Sequence, residues 1–227
     1  VKKEVQLLEM QKKYLMEYFG IDEKKIRVVY LGADHRFRPI NQQAVDQVKH
    51  KYGIKEPFLL SLGSVPRKNI DGILKGFAMT KAHKDFILVL GCNMDLDKYR
   101  QLTKDLGIEN RVLFLSNLND DDIVALYSGC YSFLFPSLYE GFGLPILEAM
   151  QCGAPVITSN ISSCPEVAGD CALLVDPNNI SEIGSAIDNL CSDNNLRQNL
   201  IQKGFNRAKL FGWDQFALEM QKIYALA

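Results

Sequence analysis

Ser137-Leu-Tyr-Glu-Gly-Phe-Gly-Leu-Pro-Ile-Leu-Glu-Ala-Met150 joins an apolar, strand-like run, Tyr131 to Phe135, to a short helix through a turn carrying Gly141 and Gly143. Glycine lets the backbone approach a ligand where a Cβ would clash. The N–H groups that open the helix lack intrahelical partners and favour an anion, most often a phosphate. Pro145 fits the first helical turn, where its missing N–H costs little. Two carboxylates bracket the turn. Glu148, about one turn inside the helix, is placed to accept two adjacent hydroxyls, as a ribose presents. Glu140 lies on the loop and faces another part of the same ligand. A nucleoside diphosphate with a hydroxylated group at its far end satisfies this spacing. The bare pattern is equally compatible with a glycine turn that opens an ordinary helix flanked by two solvated glutamates.

Outward from this segment, short β-like runs alternate with helical stretches. The runs are Arg27–Leu31, Phe58–Leu62, Phe86–Leu90, Val112–Leu115, Tyr131–Phe135, Val156–Thr158 and Ala172–Val175. Each is nearly continuous in apolar residues, as in a parallel sheet covered on both faces. Helices are expected near 42–52, 69–82, 95–106, 120–129, 144–152 and 164–168, followed by Ile180–Leu190, Leu196–Lys209 and Trp213–Tyr224. The alternation predicts an α/β fold, a doubly wound, mostly parallel, Rossmann-like sheet with right-handed crossovers. Val1 to Phe19 reads as an amphipathic helix, with Val5, Leu8, Tyr14, Leu15 and Tyr18 near helical spacing and Gly20 ending it. Ser163-Cys164-Pro165-Glu166 fits a capping box, and Asp176-Pro177-Asn178 a turn.

Composition narrows the classes. With 227 residues, 47% hydrophobic and 23% charged, the chain has the make-up of a soluble globular protein. A formal net charge of −1 gives no global attraction to nucleic acid or an anionic membrane. No run of about 18 apolar residues offers a membrane span. The chain starts at Val1 without a leader, which reads as a piece of a longer protein. Cys92, Cys130, Cys152, Cys164, Cys171 and Cys191 are scattered without a Cys-x-x-Cys pair, as reduced core thiols of a cytoplasmic protein would be. His35, His50 and His83 are isolated, and no metal site is predicted.

In an open α/β sheet, ligands bind beyond the carboxyl ends of the strands, and the informative side chains follow strands here. Gly63-Ser64-Val65-Pro66-Arg67-Lys68-Asn69 sets two cations beside a helix start that Asn69 can cap. Lys68, a compact charge on a flexible stem, is the better phosphate ligand of the two. A solvated basic loop is the plainer alternative. Ser159-Asn160-Ile161-Ser162-Ser163 is rich in hydroxyls and amides; Ser163 is assigned as a helix cap and Ser162 is left open. Ser116-Asn117-Leu118 occupies the place where a base could lie against the backbone. Walker-type phosphate loops, Gly-x-Gly-x-x-Gly after a strand, and the Gly-x-Ser-x-Gly elbow are all missing.

At this point a family resemblance emerges. Pro136 to Met150 resembles the signature of retaining glycosyltransferases of family four, which have the GT-B fold. The likeness continues through Gly153-Ala-Pro-Val-Ile-Thr-Ser-Asn160, Pro165-Glu-Val-Ala-Gly-Asp170 and Leu174-Val-Asp-Pro177. Pro66-Arg-Lys-Asn69 and Gly32-Ala-Asp34, with Phe37 and Pro39, also have counterparts. The resemblance implies one half of a GT-B glycosyltransferase. Residues 1–20 would be the crossover from a missing amino-terminal domain, and 21–227 a nucleotide-sugar-binding domain that includes the final helices.

It further implies a donor site in which Glu148 holds the ribose and Lys68 the diphosphate, while Glu140 faces the sugar. Gly141, Phe142, Gly143 and Leu144 would present backbone to phosphate or sugar, Arg67 and Ser64 would flank the diphosphate, and Asn117 would lie near the base. Many members carry Arg where this chain has Ser64, in a loop that looks a residue shorter than usual. The implied reaction is transfer of a hexose, mannose before glucose, galactose or N-acetylhexosamine, from a GDP- or UDP-linked donor with retained configuration. It needs no metal or other cofactor. The acceptor, a glycan or a lipid-linked glycan, would be met through the missing domain, so the isolated chain is expected to bind donor without transferring sugar. The competing readings are a non-catalytic nucleotide-sugar-binding module and a GT-B epimerase or phosphorylase.

Overall fold

A computed structural model describes residues 4–6, 8–63, 65–92 and 96–225, for residues 4–6 in backbone alone. In chain order the elements are β1 Glu4–Gln6, α1 Glu9–Phe19, β2 Ile26–Val28, α2 Gln42–Lys51, β3 Phe58–Leu62, α3 Ile70–Met79, β4 Ile87–Gly91, α4 Asp97–Asp105, β5 Val112–Leu115 and α5 Asp120–Gly129. They continue with β6 Ser132–Phe135, α6 Leu144–Gln151, β7 Val156–Ser159, α7 Cys164–Ala168, β8 Ala172–Val175, α8 Ile180–Ser192, α9 Asn194–Ala208 and α10 Trp213–Ala225.

The main sheet has six parallel strands in the order β5-β4-β3-β6-β7-β8. Its strands are apolar without alternation because both faces are covered, and successive side chains go to opposite faces. Leu60, Val89, Phe133 and Val156 enter one buried cluster with residues of α5 and α6. Their neighbours Leu59, Leu88, Leu134 and Ile157 enter the other, with α3 and α8. On that second face α3 and α8 meet closely at two glycines: a Cβ on Gly76 would come within 2.7 Å of Ile183 Cγ2, and one on Gly184 within 3.0 Å of the Gly76 carbonyl.

The strand order reverses between β3 and β6: from β3 the chain winds outward through β4 and β5, and from β6 through β7 and β8. Such a reversal opens a crevice at the carboxyl ends of the two central strands, because their following segments leave in opposite directions.

The amino-terminal segment differs from the sequence reading. Glu4–Gln6 is not helical; it pairs in parallel with Ile26–Val28 in a separate two-stranded sheet, and the helix begins at Glu9. The expected strand at 27–31 is therefore shorter and lies outside the main sheet. What sets the helix start comes from far along the chain. Leu8, the N-cap residue, supplies no side-chain bond, and the Glu166 carboxylate instead accepts from Glu9 N–H at 2.7 Å and Met10 N–H at 3.1 Å.

All six cysteines are free thiols, five of them buried. Burial pushes Cys164 up to about 11, and Cys152 and Cys191 up to about 12. Among the described residues no helix is long and apolar enough to cross a membrane, and no His, Cys, Asp and Glu cluster could hold a metal ion.

Candidate functional site

The crevice between β3 and β6 is built from the segments that follow them. After β3, Pro66–Lys68 makes a short 3-10 turn that ends at Asn69 in the left-handed conformation, φ 59°. The buried Asn69 side chain works in three directions. Its Oδ1 accepts from Gly72 N–H at 3.2 Å and caps α3, while Nδ2 donates to the carbonyls of Pro136 at 3.0 Å and Pro177 at 2.7 Å. One amide thus joins the segments after β3, β6 and β8. Leu138 N–H adds a bond to the Arg67 carbonyl at 2.8 Å.

Lys68 lies inward. A Cβ on Gly63 would stand 2.5 Å from Lys68 Cγ, so the glycine makes room for the lysine stem. The ammonium sits 4.2 Å from the centre of the Phe135 ring and donates to Glu140 Oε1 at 2.7 Å. Both side chains are largely buried, 12% and 6% exposed. Arg67 is exposed and contributes its carbonyl. Ser64 lies outside the described residues.

Glu140 is held from behind by the segment after β7. Ser162 Oγ accepts from Glu140 N–H at 3.0 Å and donates to Glu140 C=O at 2.7 Å; Ser163 Oγ donates to the same carbonyl at 3.1 Å. Ser162 has φ 59°, unusual for a residue with a Cβ. This corrects the capping-box assignment. Ser163 makes no side-chain cap for α7, and Glu166 caps α1 while also accepting from Tyr30 OH at 3.0 Å. The competing partners, a buried carbonyl on one side and a helix start without its own side-chain cap on the other, are far away in sequence and prevail over the local motif.

Beyond Glu140 the chain turns into α6. Gly141 is exposed, a Cβ there would meet nothing, and its carbonyl accepts from Gln11 Nε2 of α1 at 3.1 Å. Phe142 is buried edge-on against Phe211, with ring centres 6.2 Å apart. Gly143 is the N-cap of α6 at φ 98°, and it has no side chain to fill the space before the first N–H groups. One turn into α6, the half-buried Glu148 accepts from Tyr127 OH at 3.2 Å. Burial lifts the Glu148 carboxyl above the ordinary carboxylate range, and the Tyr127 bond and the Lys68 charge partly oppose that lift.

The structure therefore brings Lys68, Glu140, Gly141–Leu144 and Glu148 to one crevice. Asn117, at φ 55°, follows β5 on the same edge of the sheet, with β4 between its strand and β3. Among the described residues, the three non-glycine residues with positive φ are Asn69, Asn117 and Ser162, each just beyond the carboxyl end of a sheet strand. Strained backbone gathers on the edge that carries the site, as it does at ligand clamps. A cation, an open helix N-terminus and two differently held carboxylates suit a ligand with an anionic middle and hydroxyls at both ends.

Residues 43–207 match the model of the family described as glycosyl transferases group 1. The chain belongs to that family. Among its curated relatives, the chain is 32% identical over 218 residues to the O-antigen chain mannosyltransferase B of Escherichia coli, covering 93% of this chain and 57% of that protein. It is 31% identical over 208 residues to the serotype-specific mannosyltransferase WbdA of the same organism, covering 88% of this chain and 26% of that one. The chain thus spans about half, or less, of the length of these relatives. Among solved structures, HepE of Anabaena in complex with UDP superposes with a TM-score of 0.90 at 19% identity, over 100% of this chain and 64% of that one. The fold is that of the GT-B glycosyltransferases.

Three features of the crevice escaped the sequence reading. Tyr127 sits in an apolar helical stretch and reads as core. Ser162 carries no signal of its left-handed conformation. Gln11 reaches Gly141 across 130 residues of sequence, and no local pattern announces it.

Proposed function

We propose that this chain is the donor-binding part of a retaining hexosyltransferase that uses a nucleoside-diphosphate sugar. The observation that carries the reading is the Lys68–Glu140 pair at the switch point, beside the open start of α6, which carries Glu148 one turn further on. Lys68 and the N–H groups of Phe142, Gly143 and Leu144 hold the diphosphate and take up the charge that develops as it departs. Glu148 accepts the ribose hydroxyls. Glu140 faces the sugar, and the base lies toward Asn117. Arg67, exposed at the rim, adds a second positive charge. In the transfer, the bond from the anomeric carbon to the diphosphate oxygen breaks and the acceptor oxygen bonds on the same face. The acceptor proton leaves with the diphosphate, without an enzyme nucleophile. No cofactor beyond the donor takes part.

The mannosyltransferase relatives support mannose as the hexose and a growing glycan, free or lipid-linked, as the acceptor. The six free thiols support a reducing, cytoplasmic setting. Residues up to 20 lead in from an acceptor-binding domain, so the chain by itself binds donor and does not transfer sugar. Calorimetric titration of the chain with GDP, UDP and ADP tests the reading. One nucleotide should bind, and Glu148→Ala should weaken it by about tenfold or more, the loss of hydrogen bonds to a charged group. If neither this chain nor the full-length protein bound any of the three, the donor site would have to be abandoned.

A further inference from the structure

Tyr127 belongs to none of the roles assigned above. It projects from α5 and is one of the largest fully buried side chains of the molecule. Phe133 packs on its ring at 5.0 Å and Phe37 at 6.0 Å, both edge to face. Phenylalanine would serve such packing better, since a buried hydroxyl is costly unless bonded. The Tyr127 hydroxyl spends its proton on Glu148 Oε2.

We propose that Tyr127 is a positioning residue of the donor site: its hydroxyl pins Glu148 Oε2 and leaves Oε1 for the ribose hydroxyls. The inference rests on the assignment of Glu148 to the ribose. Its electrostatic setting is specific. Burial favours the protonated carboxyl; the Tyr127 bond, Lys68 from the segment after β3 and Arg36 from the loop after β2 favour the carboxylate, and Asp120 at the start of α5 opposes it. The Cys152 thiol, at the end of α6, lies close enough to feel the same carboxylate and is itself held protonated by burial. The phenol is a neutral group that donates directly to the carboxylate, so it stabilises the anion without competing for the diphosphate as another cation would.

The test is Tyr127→Phe, which removes a single oxygen and keeps the ring. Binding of the cognate nucleoside diphosphate is titrated by calorimetry from mildly acidic to neutral pH, beside wild type and Glu148→Gln. In wild type, affinity falls on the acid side as Glu148 takes up a proton. In Tyr127→Phe that fall moves to higher pH, and affinity at neutral pH drops about tenfold. Glu148→Gln binds weakly and has no such pH dependence. Carboxyl carbon NMR of Glu148 reads the same shift without ligand, and covers the case in which the variant binds too weakly to titrate. A purely structural tyrosine would lower the melting temperature and leave both pH profiles unmoved, which overturns the proposal. Wild type that binds no nucleotide at any pH would instead remove the ribose assignment, and this inference with it.

Discussion

Glu140 and Glu148 stand on the same turn-and-helix segment, yet the fold holds them by opposite means. Glu140 has its charge matched by a buried ammonium and its main chain gripped by two serines from the segment after β7. Glu148 meets a neutral phenol, and its carboxyl is lifted above the ordinary range by burial. The first carboxylate is already paired with a cation, so a ligand that recruits Lys68 must share or displace an existing ion pair. The second is bonded only to a neutral donor, so hydroxyls can add to its other oxygen without breaking an ion pair. One site thus contains a group held in balance and a group held in waiting.

The largest effect should come from breaking the balanced pair. Lys68→Ala leaves Glu140 charged, nearly buried and without its cation, and loss of one partner of a buried pair costs about 3 kcal/mol. Urea denaturation should show that loss, and Lys68→Met combined with Glu140→Leu should recover most of it, because two apolar side chains need no mutual charge. A loss under about 1 kcal/mol in the single variant would mean that the pair behaves as a surface ion pair. Of these two carboxylates, only Glu148 would then have its setting controlled by burial.

The main-chain grip on Glu140 predicts a smaller and more discriminating effect. Ser162→Ala removes both hydrogen bonds to Glu140 and keeps a Cβ in a left-handed residue. The two bonds together are worth about 2 kcal/mol. Ser162→Gly loses the same bonds but relieves a conformation that costs about 1 kcal/mol. Glycine should therefore be the milder substitution by about that difference in denaturation midpoint energy. Equal losses would show that Ser162 stores no strain and that its conformation follows from the loop alone.

These pairings also mark how far the sequence could be read. The six main-sheet strands and the helices between them were legible because a parallel sheet buried on both faces writes itself as apolar runs, and the observed bounds, such as Phe58–Leu62 and Val112–Leu115, coincide with those runs. The turn at Gly141–Gly143 and the cap at Asn69 were legible because their chemistry is local. The failures are all long-range. Glu4–Gln6 became a strand, and α1 began at Glu9, because Glu166 caps it from the other end of the domain. Ser163 left its expected cap for a carbonyl of Glu140. Tyr127 looked like core and is core; only its hydroxyl, reaching a carboxylate on the neighbouring helix, belongs to the site.

The waiting carboxylate should leave the smallest mark, and it runs against function. The folded-state pKa of Glu148 is raised, so between the unfolded value of 4.5 and the higher folded value the native state binds more protons than the unfolded state. Stability attributable to this group is therefore fully present below the unfolded value and is lost as pH rises through the folded one. Above that window an ionised Glu148 in a half-buried place is a net cost, which the Tyr127 bond and the Lys68 charge reduce without removing. Glu148→Gln carries no charge to desolvate. It should match wild type in melting temperature at mildly acid pH and exceed it slightly at neutral pH, while losing nucleotide affinity. Thermal denaturation at the two pH values checks this directly. If Glu148→Gln were less stable than wild type at neutral pH, the Tyr127 and Lys68 interactions would outweigh the burial cost. Glu148 would then be a satisfied group like Glu140, and the contrast between the two carboxylates would collapse.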